Sequence, residues 1–212
     1  FNMPASSCAP VSFGPLNLSS GQNLQYSWNV FPGIVIQNPS GRNPIFHFPA
    51  STDSVLYFIR LILIDSVSGC VSVETKNFRT YPAPTADFAF SKPDSCSPFT
   101  VNFENYSTPN IAGENIDDLI FDWDFGNGLS SSIKEPTVIF TNKTVNDITY
   151  QIRLIITNSA GCSDTMTKDI TIFPDARATA TAFPVTGCAP FVIDTNNFSY
   201  VDYVEANSWY QW

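Results

Sequence analysis

Hydrophobic and polar side chains alternate over short stretches of this chain. In Tyr150–Thr157 the residues Tyr150, Ile152, Leu154 and Ile156 recur at every second position, with Gln and Arg among the residues between them. A period of two is typical of a strand that buries one face. Pro and Gly clusters separate such runs, and no long stretch keeps a helical period. The pattern therefore predicts an all-β fold, with Asn115–Leu119 forming a single helical turn at most.

The same motifs recur with a spacing of about 90 residues, which indicates internal repeats. Each copy has a Cys-x-Pro and then a Trp, and the first two copies end in a Gly-Cys pair and a Pro-bearing linker. The motif residues are Cys8, Trp28 and Gly69-Cys70; Cys96, Trp123 and Gly161-Cys162; and Cys188 and Trp209. We therefore expect copies at 1–82, 83–174 and 175–212, the third of them cut after its Trp. This period suits tandem immunoglobulin-like β-sandwiches, and a longer protein is expected.

The five cysteines are an odd number, which needs an explanation in a secreted protein. Pairing within copies joins Cys8 to Cys70 and Cys96 to Cys162, and leaves Cys188 for a partner beyond Trp212. Such bonds imply an oxidising compartment. The alternative is that the cysteines are buried free thiols. Metal binding is less favoured, because the chain has no C-x-x-C and a single His.

Composition and charge narrow the classes of partner. The chain is 43% hydrophobic and 14% aromatic, which is enough for folded cores. Its net charge of −9 offers no basic patch for nucleic acid or for an anionic membrane surface. The longest apolar stretch is too short to span a bilayer. We expect neither a nucleic-acid partner nor membrane insertion by this segment.

The stretch FDWDFGNG, residues 121–128, raises the question of a metal or acid site. Asp122 and Asp124 flank Trp123, so in a strand they share the face opposite the Trp. The structural interpretation is that Trp123 enters the core and Asp124 caps the following Gly-Asn-Gly turn. The alternative is a calcium site, with Asp117, Asp118, Asp122 and Asp124 as oxygen ligands.

No residue pattern points to catalysis. His47 lies in a strand-like run, where a surface position is the simplest interpretation. The chain has no G-x-S-x-G, H-E-x-x-H or nucleotide-binding loop. We therefore predict a non-enzymatic segment with no catalytic residue and no cofactor apart from the calcium alternative.

The second copy resembles the PKD domain, an immunoglobulin-like family. The resemblance rests on Trp123–Gly128, Glu135-Pro136, Tyr150–Leu154 and Asn158–Gly161. The first copy departs from the pattern, because it lacks the Asp and the first Gly after its Trp. The added Cys-x-Pro and Gly-Cys pair is similar to PKD-like repeats of very large Bacteroidetes surface proteins, including gliding-motility adhesins exported by the type IX secretion system.

This resemblance implies a function and a location. It implies a stalk or adhesive filament of a secreted adhesin at the bacterial cell surface, associated with the outer membrane. Its partners would be neighbouring repeats, the secretion or motility machinery, and a surface polysaccharide or other extracellular ligand. The alternative is a set of spacer or carbohydrate-binding modules in a secreted hydrolase. The same origin makes Ser54, Ser66 and Thr165 candidate O-glycosylation sites.

Overall fold

The computed structural model describes residues 1–91 and 94–175. Within these ranges the chain forms fifteen strands and one single-turn 3-10 helix, Ile116–Asp118. The all-β prediction and the limit of one helical turn near Asn115 are confirmed. Within these ranges no helix has the length and apolar character needed to cross a membrane. The predicted third copy lies outside the described residues, apart from Asp175.

The first copy forms two sheets that pack as a sandwich. Its seven strands are β1 (Ser6–Cys8), β2 (Val11–Phe13), β3 (Leu24–Phe31), β4 (Val35–Gln37), β5 (Ile45–Phe48), β6 (Val55–Asp65) and β7 (Val71–Tyr81). One sheet has the order β1-β7-β6-β3, and the other has the order β2-β5-β4. The pair β1–β7 is parallel, whereas β6 pairs antiparallel with both β3 and β7.

The second copy has a larger sheet like that of the first copy, with one more edge strand, and a smaller sheet of different order. Its strands are β8 (Phe88–Phe90), β9 (Asp94–Cys96), β10 (Phe99–Asn105), β11 (Ile120–Asp124), β12 (Ser130–Ser131), β13 (Thr137–Phe140), β14 (Ile148–Thr157) and β15 (Ser163–Phe173). The sheet orders are β12-β11-β14-β15-β9 and β13-β10-β8. Strand β9 pairs parallel with β15, as β1 pairs with β7. The larger sheets of the two copies therefore share one strand order, although only the second copy carries the full Trp-Asp-Phe-Gly motif. The smaller sheets differ, because β5 is central in the first and β10 in the second.

The described chain divides into two compact units. Unit 1 comprises Phe1–Asp87, Ser107–Phe121 and Ile155–Thr165. Unit 2 comprises Phe88–Tyr106, Asp122–Leu154 and, within the described residues, 166–175. Unit 1 thus contains two segments of the second sequence copy, and the copy boundaries at residues 82 and 174 stay predictions.

Each unit has an aromatic core around a buried Trp. In unit 1, Trp28 is 2% exposed and its ring contacts Phe1 and Phe46 edge-on at 5.0 and 5.7 Å. In unit 2, Trp123 is fully buried and its ring lies 5.0 Å from that of Phe88. Both indole N–H groups donate to a backbone carbonyl, that of Gly41 at 3.0 Å and that of Ile133 at 2.9 Å. The buried nitrogen of each Trp is therefore satisfied in the same way.

Candidate functional site

A disulfide joins Cys8 to Cys162, with their Cα atoms 5.6 Å apart and a sequence separation of 154. Both residues belong to unit 1. Cys8 ends β1, opposite Tyr81 of β7, and Cys162 directly precedes β15. The bond thus links the Cys-x-Pro motif of the first sequence copy to the Gly-Cys pair of the second. Cys70 and Cys96 are exposed free thiols.

The predicted pairing within copies, Cys8 with Cys70 and Cys96 with Cys162, is therefore wrong. Cys8 lies beside Tyr81, the last residue of β7, whereas Cys70 directly precedes the first. An 11-residue strand is about 35 Å long, and a disulfide requires Cα atoms within about 7 Å.

Strand length also prevents Cys96 from pairing with Cys162 within the second copy. Cys96 lies opposite Phe173, at the far end of the 11-residue β15 from Cys162. The prediction for Cys188 falls outside the described residues.

Side chains of unit 1 hold the segment that follows β7. The buried amide of Asn158 donates from Nδ2 to the Pro82 carbonyl at 3.0 Å, and its Oδ1 accepts from the Cys162 N–H at 3.0 Å. Nδ2 of Asn110 donates to the Ala83 carbonyl at 2.9 Å. The Ala86 N–H donates to Asp164 Oδ2 at 2.8 Å. These bonds satisfy the backbone of the Pro-rich segment where strand pairing has ended.

Sequence reasoning missed this role of Asn158, Asn110 and Asp164. Asn158 opens the Asn-x-x-Gly stretch, which carried part of the family resemblance, but the stretch alone does not identify the carbonyl that its amide would bind. The signal was a polar residue placed three positions before a Gly in a turn, which favours side-chain bonds to nearby backbone.

The FDWDFGNG stretch is a capped turn. Oδ1 of Asp124 accepts the Gly126 N–H at 3.0 Å, as predicted, and Oδ1 of Asn127 accepts the Leu129 N–H at 3.0 Å. Gly126 has φ of 69°, which suits glycine. A Cβ at this position would lie only 2.8 Å from the Gln151 carbonyl oxygen, so a larger residue would require a shift. The structural interpretation of this stretch is confirmed.

The four acids proposed for calcium have separate roles. Asp117 and Asp118 lie in the 3-10 turn, where Asp118 Oδ2 accepts the Asn115 N–H at 2.8 Å. Asp122 is exposed on β11. Oδ2 of Asp124 lies 3.2 Å from an Arg153 guanidinium nitrogen, and both side chains are half exposed. Within residues 1–91 and 94–175 no three His, Cys, Asp or Glu side chains form a group that could hold a metal ion.

The remaining candidates lie at or near the surface. His47 is partly buried, and its Nδ1 lies 2.8 Å from the Ser12 hydroxyl across the β2–β5 pair. Ser54, Ser66 and Thr165 are all exposed. The Ser66 hydroxyl donates to the Asn23 carbonyl at 3.0 Å. Their glycosylation stays a prediction.

Asp65 opens the Gly-Cys turn of the first copy, at the position that Asn158 holds in the second. Its Oδ1 accepts the N–H groups of Val67 and Ser68 at 2.9 and 3.3 Å. These backbone bonds stabilise the carboxylate and hold the pKa of Asp65 below its ordinary value of 3.8. The acid therefore stays charged and keeps the turn closed.

No family model and no curated protein matches this chain. Among solved structures, the PKD1 domain of Vibrio cholerae metalloprotease PrtV is 28% identical, covering 43% of this chain and 98% of that one with a TM-score of 0.34. The PKD1 domain of Vibrio anguillarum Epp is 28% identical over 43% and 95%, with a TM-score of 0.33. Fibronectin(III)-like modules of Clostridium thermocellum CbhA are 9% identical over 82% and 90%, with a TM-score of 0.41. All three scores are below 0.5, so the sandwich fold of this chain rests on the strand pairing described above.

Proposed function

We propose that this chain is a non-catalytic segment of a secreted surface adhesin, in which successive copies form a disulfide-linked stalk or adhesive filament. The observation that carries the proposal is the bond from Cys8 to Cys162, which ties the motif of one sequence copy to that of the next. A structural disulfide fits an oxidising, extracellular setting. A covalent crosslink between copies would help such a chain to stay folded and intact outside the cell.

The contacts of Asp124 and Trp123 in the FDWDFGNG stretch support a structural role. Asp124 is engaged by a turn N–H and by Arg153, and Trp123 fills the core. These residues have the contacts of a scaffold, and their bonding partners account for their presence without any substrate. We accordingly propose that extracellular ligands, such as a surface polysaccharide, are bound through loops or through other parts of the protein, and that surface gliding is the process served.

The decisive experiment is to isolate the native chain that carries this segment and to map its peptides on both sides. Treating intact cells with protease beforehand shows whether the segment is at the surface. Many further copies with Cys-x-Pro and Gly-Cys motifs, lost after treatment of intact cells, are the expected result. One or two copies joined to a hydrolase domain would instead assign these modules to the spacer of a secreted enzyme.

A functional test uses cells from which residues 1–174 are deleted in frame. Attachment and gliding should fall while the rest of the protein is still exported. The matched control is the Asp122→Asn variant, which changes an exposed side chain of β11 and leaves every cysteine in place. Unchanged attachment and gliding in the deletion strain would contradict the adhesin proposal.

A further inference from the structure

We propose that Cys70 and Cys96 are also crosslinking sites, each for a cysteine of an adjacent copy. Cys96 would bond to the cysteine of a Gly-Cys turn in the copy that follows. Cys70 would bond to the cysteine of a Cys-x-Pro motif in the copy that precedes. The inference concerns the order of crosslinks and holds whether the protein is an adhesin or an enzyme's spacer.

Cys96 occupies the same backbone position as the bonded Cys8. Cys8 lies opposite Tyr81 at the end of the parallel pair β1–β7, and Cys96 lies opposite Phe173 at the end of the parallel pair β9–β15. The residue after each cysteine donates its N–H to that opposite residue, at 2.9 Å for Ala9 and 3.0 Å for Ser97. The chain therefore presents both thiols in the same way, at the point where the last strand of a copy ends.

Cys70 occupies the same backbone position as the bonded Cys162. The carbonyl of each cysteine accepts the N–H of the residue that opens the turn, Asp65 or Asn158, at 2.9 Å in both cases. In each turn the glycine before the cysteine donates its N–H back to that opening residue, at 2.8 and 2.9 Å. Both glycines have positive φ, 69° and 79°. The two cysteines therefore stand at the same place opposite the residue that opens the turn, although the turn at Cys70 is one residue longer.

The free cysteines differ from the bonded Cys162 in solvent exposure. Cys162 is 1% exposed, with its sulfur 3.9 Å from the Tyr81 carbonyl. Cys70 is exposed and lines a cavity of about 500 Å³, beside Leu18 and Val71, which are 65% and 61% exposed. Because the Tyr81-Pro82 segment lies beside Cys162, we place the Tyr-Pro segment of a preceding copy beside Cys70, where the surface is open.

Pairing within a copy is closed to both thiols by the length of the last strand, as shown above for β7 and β15. Each proposed bond forms when both thiols lose their protons and their two electrons pass to a disulfide oxidant such as oxidised glutathione, which leaves as two thiols. Repeated along the chain, the rule joins the Cys-x-Pro cysteine of every copy to the Gly-Cys cysteine of the next.

The test places residues 1–83 in front of the full 212-residue chain, so that a preceding copy is supplied. The isolated bridge Asn2–Leu16 corresponds to the bridge Thr85–Thr108, so Asn2 corresponds to Thr85 and Phe1 to Pro84. Joining Ala83 directly to Phe1 therefore keeps the natural spacing between copies. The added copy carries Cys70→Ser, so that every Cys70 peptide comes from the original chain. The protein is oxidised in a glutathione buffer, alkylated and digested without reduction.

The expected result is two crosslinked peptides, Cys8–Cys162 and Cys8–Cys70, each present once per chain. Alkylation of Cys70 should fall at least tenfold from its level in the unextended chain. In the control with Cys70→Ser in both copies, the second crosslink should be lost and one Cys8 should become alkylated. The Cys8–Cys162 peptide reports correct folding in every sample.

Three results would overturn the proposal. The first is a Cys70 that stays as alkylated as in the unextended chain while Cys8–Cys162 forms. The second is a Cys8–Cys70 crosslink already present in the unextended chain. The third is the absence of the Cys8–Cys162 bond that serves as its template. For Cys96, the same mapping of the native protein should find it joined to a Gly-Cys peptide, and recovery as a free thiol would refute that half.

Discussion

Removing the Cys8–Cys162 bond should lower stability far more than removing any other cysteine of the described chain. A disulfide stabilises mainly by restricting the unfolded chain, and the effect grows with the length of the closed loop. A separation of 154 residues gives about 5 kcal/mol at 25 °C on the chain-entropy relation. For a chain of this size each kcal/mol corresponds to roughly 2–4 °C, so Cys8→Ser should lower Tm by about 10 °C or more.

The assay is thermal and urea unfolding of the oxidised protein, followed by circular dichroism. Cys70→Ser and Cys96→Ser are matched controls, since each makes the same change at an exposed thiol without a bond, and each should shift stability by less than about 0.5 kcal/mol. The double variant Cys8→Ser/Cys162→Ser should match the single variant, because one bond is lost in both. Adding a reductant should lower the Tm of the parent protein to that of the Cys8→Ser variant.

Two results would refute this reasoning. One is a Cys70→Ser variant as unstable as Cys8→Ser, which would restore pairing within the first copy. The other is a Cys8→Ser variant with the Tm of the parent under oxidising conditions, which would mean that the bond does not form in solution.

Three further changes test the turns and the buried polar groups. Gly126→Ala should cost about 3 kcal/mol in urea unfolding, because its Cβ would meet the Gln151 carbonyl at positive φ, whereas Gly128→Ala, with open space around it, should cost about 1; equal costs would contradict the contact. Asn142→Ala should lower the unfolding free energy by about 2 kcal/mol, because it removes the Nδ2 donor of the buried Ile172 carbonyl, and a loss below about 1 would argue against that bond. The folded pKa of Asp65 lies below its unfolded value near 3.8, so the stability that the carboxylate contributes is complete above that pH and is lost as the pH falls through the folded pKa. Urea midpoints between about pH 6 and pH 2 should therefore depend less on pH in Asp65→Asn than in the parent protein. Identical pH profiles would rule out this contribution.

The alternation of side chains was sufficient to predict the strand at Tyr150–Thr157. Ile152, Leu154 and Ile156 are fully buried, as their spacing indicates. The turn at Asp124 was also predictable, because a short acid before a Gly-Asn-Gly sequence has one nearby N–H to accept. In both cases the interaction is local, so sequence neighbours determine it.

The disulfide was not predictable in this way, because it depends on where long strands end. Sequence distance favoured Cys70 for Cys8, yet β7 carries the chain away from Cys70 to Tyr81, next to Cys8. The contact of the Asn158 amide with the Pro82 carbonyl likewise joins residues far apart in sequence. Such pairings follow from strand length and direction, which motifs alone do not give.

The Cys8–Cys162 bond also determines how the chain carries tension. A pull applied before Cys8 and after Cys162 crosses the sulfur–sulfur bond, so the residues between the two cysteines bear none of the load while the bond is intact. Even if those strands came apart, the end-to-end distance would not grow by their contour length. Reduction would release that hidden length, roughly 500 Å for a separation of 154 residues at about 3.4 Å each. The redox state of one bond thus sets how far this part of the chain can be stretched.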